Sequence, residues 1–113
     1  MTEPIDFNNW TLPPHNRWSF QRVQQFTRTA RIPRGPDFVP LHQNSQELAD
    51  IKFENTRGQT TTVAEILDQT WSDGFLVLHR GQVVAEQYFN GMGPDTLHLM
   101  MSCSKSMTSA LVG

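Results

Sequence analysis

Hydrophobic and polar positions follow regular periods in the second half of the chain and not in the first. Around Ile51-Lys52-Phe53-Glu54 they alternate with period two, as in a short half-buried strand, and Arg57-Gly58 supplies a turn after it. Thr62-Val63-Ala64-Glu65 has the spacing of a capping box. In that motif the threonine oxygen accepts a backbone N–H three residues on, and the glutamate reaches back to the threonine N–H. Val63, Ile66, Leu67 and Trp71 then share one apolar stripe at helical period, and Ser72-Asp73-Gly74 closes the predicted helix. The densest apolar runs come next, in Phe75-Leu76-Val77-Leu78-His79 and Val83-Val84-Ala85-Glu86-Gln87-Tyr88-Phe89. β-Branched and aromatic residues dominate both, and Arg80-Gly81-Gln82 between them carries the glycine that a tight reversal needs, so an antiparallel hairpin is predicted. Asn90-Gly91-Met92-Gly93-Pro94-Asp95 breaks the sheet, and Ser102 to Gly113 read as a final helix.

The first half has another texture. Residues 1–47 contain six of the seven prolines, which separate short aromatic and polar pieces, and this stretch is expected to be an ordered N-terminal extension that wraps rather than forms a core. One helix is predicted inside it, with Asn16 as the cap of Trp18 to Phe26 and Phe20, Val23 and Phe26 on one face. Residues 48–113 are expected to form the start of a second domain. The order of helix, hairpin, loop and helix implies a mixed α/β (α+β) fold, with an antiparallel sheet flanked by helices.

Composition narrows the function classes. The formal net charge is -2, so no basic field argues for nucleic acid or an anionic membrane as partner. The five arginines Arg17, Arg22, Arg28, Arg31 and Arg34 are read as a solvated or carboxylate-paired face. A single cysteine, Cys103, excludes an internal disulfide, and the first residues lack the basic and apolar regions of a secretion signal, so a cytoplasmic location is expected. The longest apolar runs are too short to span a bilayer. His79 and His98 have no carboxylate or second histidine at ligand spacing, and neither a metal nor a cofactor is expected.

The candidate chemistry lies in Ser102-Cys103-Ser104-Lys105. A serine hydroxyl attacks a carbonyl at neutral pH only with a base in reach, and lysine can act as that base when it is neutral. Desolvation and nearby positive charge favour the neutral lysine. Spacing of three puts Ser102 and Lys105 on one helical face, and the helix N-terminus adds partial positive charge beside the serine. The backbone N–H of such a nucleophile commonly gives one donor to the oxyanion hole. Lys105 is one of only two lysines, and Ser104, Ser106, Thr108, Ser109 and Ala110 around it are small. Ser-x-x-Lys alone arises by chance on the order of once per few hundred positions, so its surroundings matter.

Those surroundings carry a resemblance. The run from Asp73 to Phe89, followed by His98-Leu99-Met100-Met101-Ser102-Cys103-Ser104-Lys105-Ser106, resembles the β-lactamase-related serine hydrolases, and within them the branch of 6-aminohexanoate-dimer hydrolase and β-lactamase-fold esterases. Asn16-Arg17-Trp18-Ser19-Phe20 and Ala30-Arg31-Ile32 are similar to the N-terminal extension of that branch. The resemblance implies the N-terminal part of a β-lactamase/transpeptidase-like fold, incomplete within these 113 residues. It also implies hydrolysis of small amides or esters through an acyl-serine, with Ser102 as nucleophile and Lys105 helping to take its proton. A Tyr-x-Asn-type element and a Lys/His-x-Gly-type strand complete the family's site, and neither follows Ser102 here. Tyr88 precedes the nucleophile in a predicted strand and reads as sheet packing, and Ser72-Asp73-Gly74 reads as a turn. The isolated chain is therefore expected to be inert.

Other readings attach to the same residues. Cys103 with His98 would make a thiol–imidazole pair, but a lone cysteine is commonly a small buried hydrophobe and both histidines read as structural. Ser104 and Ser106 read as hydrogen-bonding residues of the first helical turn. The alternative of a different class is a non-catalytic interaction or structural module that keeps part of the β-lactamase-like shell.

Overall fold

The computed structural model describes residues 4–113. In chain order the elements are helix α1 (Asn16–Ser19), a 3-10 turn (Val23–Gln25), strands β1 (His42–Gln43), β2 (Lys52–Glu54) and β3 (Thr60–Thr62), helix α2 (Val63–Gln69), strands β4 (Gly74–His79) and β5 (Gln82–Tyr88), and helix α3 (Cys103–Val112). They fall into two compact units, one of Met1–Arg31 with Asp95–Gly113 and the other of Ile32–Pro94. The mixed α/β architecture expected from the sequence is present.

The Ile32–Pro94 unit is built on the predicted hairpin. β4 and β5 pair antiparallel from Gly74 opposite Tyr88 to His79 opposite Gln82, and a two-residue turn of Arg80 (φ 52°) and Gly81 (φ 76°) joins them. Both turn residues have positive φ, the primed geometry whose twist matches that of the strands. The register shifts where Val77 faces Ala85 and Leu78 faces Val83, leaving Val84 as the extra residue of a β-bulge. The bulge interrupts the alternation of faces, so Val83, Val84 and Ala85 are all buried, at 4%, 3% and 7% exposure, and form the core of the unit.

A strand absent from the sequence reading lies on the far side of β5. β1 pairs parallel to it, His42 beside Gln82 and Gln43 beside Val83, giving the order β1-β5-β4. Asn44 N–H to Val83 O and Gln46 N–H to Val84 O, both 2.8 Å, continue that edge. β1 was illegible because its two residues are exposed and carry no apolar alternation.

The predicted strand at Lys52–Glu54 pairs antiparallel with β3, and the turn between them is held by Asn55 Oδ1, which accepts from Arg57 N and Gln59 N. β3 runs straight into α2 through the capping box. Thr62 Oγ1 accepts from Glu65 N at 3.2 Å, and Glu65 Oε2 accepts from Thr62 N at 2.9 Å and from Thr61 Oγ1 at 3.0 Å. The Thr62 N–H, with the Thr61 hydroxyl second, holds the Glu65 carboxyl below its ordinary range. The helix ends sooner than its apolar stripe suggests. Ser72 N–H bonds to Leu67 O and Trp71 N–H to Asp68 O, both 3.0 Å, which is the Schellman pattern. Trp71 occupies the left-handed position of that motif at φ 52°, where glycine is usual, and so leaves the stripe it was expected to complete.

In the other unit the expected helix from Trp18 to Phe26 is divided in two. α1 begins one residue after His15, with Asn16 inside it rather than capping it, and stops at Ser19. The Phe20 carbonyl, which a continuing helix would give to Gln24 N–H, accepts instead from Leu99 N–H at 2.8 Å. Ser19 is fully buried, and its hydroxyl donates to the Trp10 carbonyl. The proline-rich segment also has an aromatic centre of its own. Trp10 lies 6.2 Å from Phe20 and 5.5 Å from Phe26, Trp18 stacks on Phe26 at 6.3 Å, and the Arg22 guanidinium sits 5.4 Å over Trp18.

The chain exposes 9541 Å². Several large apolar side chains are exposed, among them Ile32, Val39, Leu111 and Val112. Among the described residues no helix is long and apolar enough to cross a membrane.

Candidate active site

Ser102 stands at the N-terminus of α3, and the Met1–Arg31 segment places the chain that leads to it. Besides the Leu99 N–H to Phe20 O bond, the His98 ring meets Phe20 edge to face at 6.0 Å, and His98 Nδ1 lies 2.9 Å from Leu99 O. Three residues on, Met101 turns into the left-handed region at φ 47°. That turn starts the helix: Cys103 N–H bonds to Met100 O at 3.0 Å, Ser104 N–H to Met101 O at 3.3 Å, and Lys105 N–H to Ser102 O at 3.0 Å. Ser104 Oγ adds a second bond to Met101 O at 2.7 Å.

Ser102 is the N-cap residue, yet its side chain makes no capping bond. A serine at this position ordinarily accepts from the N–H two or three residues on. Here Ser102 Oγ instead accepts from Lys105 Nζ at 3.3 Å. The spacing that put both side chains on one face is realised in α3, and the hydroxyl and the amine are brought together. The pair is open to water, and every residue from Met100 to Gly113 is exposed. The helix carries Met107, Leu111 and Val112 at 55%, 89% and 83% exposure, apolar side chains with no cover within the chain.

The remaining candidates fall elsewhere. Cys103 is an exposed free thiol, not the small buried hydrophobe expected. Tyr88 ends β5, half-buried, and its hydroxyl donates to the Glu86 carboxylate. Ser72-Asp73 leads into β4 as a turn would, and there Asp73 O accepts from Phe89 N at 2.9 Å and Asp73 Oδ1 from Asn90 Nδ2 at 3.0 Å. Two short runs upstream of Ser102, His79-Arg80-Gly81 and Tyr88-Phe89-Asn90, spell the sequence elements that the resemblance requires later in the chain. One is the β4–β5 turn and the other the end of β5, so both are accounted for by the hairpin. Among the described residues no three His, Cys, Asp or Glu side chains gather as a metal site would need.

The sequence reading missed how Met101 and Ser104 cooperate. Nothing in Met-Met-Ser announces a left-handed residue, a position that glycine or asparagine ordinarily fills. A serine two residues after Ser102 is the one available signal.

Residues 53–113 match the beta-lactamase family model. The 6-aminohexanoate-dimer hydrolase of Paenarthrobacter ureafaciens is 33% identical over 106 residues, which cover 94% of this chain and 26% of that protein. A solved structure, a candidate 6-aminohexanoate-dimer hydrolase from Bacillus anthracis, superposes with a TM-score of 0.81 at 32% identity and covers 97% of this chain and 30% of its own. The chain belongs to the beta-lactamase family of hydrolases. It spans about a quarter of the length of the curated relative.

Proposed function

We propose that the protein to which these residues belong is a serine hydrolase of small amides or esters, 6-aminohexanoate-oligomer hydrolase or esterase in kind, working through an acyl-serine. The observation that carries this reading is the 3.3 Å approach of Lys105 Nζ to Ser102 Oγ, made by a hydroxyl that its helix does not use as a cap. In the reaction, Ser102 Oγ attacks the carbonyl carbon while Lys105, neutral, takes its proton. The tetrahedral oxyanion receives the Ser102 backbone N–H. Collapse expels the amine or alcohol, which leaves with the proton held by Lys105, and water then hydrolyses the acyl-serine. The two relatives named for 6-aminohexanoate-dimer hydrolysis support a linear amide as substrate class.

The isolated 113-residue chain is proposed to be inert. A lysine acts as a base when it is desolvated, and exposure along the whole of α3 leaves Lys105 in water. Labelling of the full-length protein with a fluorophosphonate, followed by peptide mass spectrometry, tests the nucleophile. The adduct is expected on Ser102 and is lost in Ser102→Ala, and an adduct on any other residue removes Ser102 from the role.

A further inference from the structure

The Met101–Ser102 peptide group has two ends, and they do different work. Its carbonyl oxygen is the one that Ser104 grips, through Oγ at 2.7 Å and N–H at 3.3 Å. Its N–H belongs to Ser102 and is the oxyanion donor of the proposed reaction. A peptide unit is planar and trans, so its C=O and N–H point in opposite directions and holding one aims the other.

Aim matters here because the Met101–Ser102 peptide plane turns about Met101 ψ and Ser102 φ, and a rotation there would swing the Ser102 N–H to another direction. Met101 itself sits at φ 47°, a left-handed position that a residue with a side chain seldom takes. The shorter of the two restraining bonds comes from the Ser104 side chain, and Thr108 Oγ1 in turn donates to Ser104 O at 3.2 Å, tying Ser104 to the next turn of α3. We infer that Ser104 is a positioning residue: its hydroxyl holds the Met101 carbonyl and thereby directs the Ser102 N–H at the developing oxyanion. The inference rests on the acyl-serine reading and assigns Ser104 no contact with substrate.

Hydrolysis of a short nitrophenyl ester by the full-length protein tests it. Ser104→Ala is expected to lower kcat roughly ten- to hundredfold, somewhat less than removal of an oxyanion donor outright, with KM within about twofold of wild type. Ser104→Thr, which keeps the hydroxyl, is expected to recover most of kcat, whereas the isosteric Ser104→Val is not. The Thr and Val pair also decides the matter if the alanine variant folds poorly. A boronic acid, which forms a tetrahedral adduct on a serine hydroxyl, should bind the Ala variant more weakly by a factor matching the loss in kcat. Wild-type kcat in Ser104→Ala, a loss confined to KM, or equal losses in the Thr and Val variants would overturn the inference while leaving Ser102 as nucleophile. Full turnover in Ser102→Ala would overturn the acyl-serine reading and this inference together.

Discussion

Two helices of this chain open on a hydroxyl residue, and they use it in opposite ways. Thr62 spends its oxygen on the Glu65 N–H, and Glu65 returns the bond, so the start of α2 is closed on itself. Ser102, at the start of α3, makes no such bond and meets Lys105 Nζ instead. A capping bond contributes about 1 kcal/mol to stability. An N-cap serine that forgoes it leaves its oxygen open to another partner, at a local loss of stability of that order. Backbone geometry separates the two cases: Thr62 is extended, at φ -112° and ψ 165°, while Ser102 already has helical angles, φ -70° and ψ -9°, after the left-handed Met101.

The contrast breaks most visibly at Lys105. Lys105→Ala in the full-length protein is expected to lower kcat by roughly a hundred- to ten-thousandfold, the usual scale for losing a general base. Its thermal unfolding should not fall, because an amine kept out of water for chemistry costs stability rather than supplying it. Full activity in that variant would reduce the Ser102 contact to a surface hydrogen bond. Thr62→Ala should behave in the mirror-image way, with a loss of about 1 kcal/mol in chemical denaturation and kcat unchanged. A kinetic defect there would mean that the two helix starts are less separate in role than their bonding indicates.

The smallest effect concerns pH. The Glu65 carboxyl is held below its ordinary range chiefly by the Thr62 N–H and next by the Thr61 hydroxyl. Its stabilising contribution is therefore complete above the unfolded-state value and is lost as pH falls through the lowered folded-state value. Glu65→Gln keeps a side chain that can accept the Thr62 N–H but cannot ionise. The stability gap between wild type and Glu65→Gln, followed by denaturant unfolding, should be present at pH 7 and close as the solution is acidified below the usual glutamate range. A gap independent of pH would show that the capping box works without its charge.

The capping box, the Phe75–Phe89 hairpin and the Ser-x-x-Lys helix were legible because each is a local pattern, complete within a few residues. What escaped was set by partners distant in sequence. β1 exists because β5 offers it an edge, and neither His42 nor Gln43 carries that information. The helix expected through Trp18 to Phe26 breaks because Leu99 takes the carbonyl of Phe20, although the apolar spacing there suits a longer helix. The apolar run at Val83-Val84-Ala85 predicts a strand but not the bulge that buries all three of its residues. At the site, spacing alone brought Ser102 to Lys105. The left-handed Met101 has no sequence mark, because methionine is a residue that conformation seldom takes.

The bond from Leu99 N–H to Phe20 O also has a consequence in time. It joins an early part of the chain to a late one, so α1 is synthesised well before the partner that ends it. Ribosomes add roughly 5–20 residues per second, and Phe20 therefore waits on the order of ten seconds for Leu99. During that interval the aromatic side chains around Trp10 and Phe26 are free to associate with one another, and the run toward Ser102 has yet to be made. Assembly of the approach to Ser102 is thus a late event in the birth of this protein, gated by translation rather than by the speed at which a helix can form.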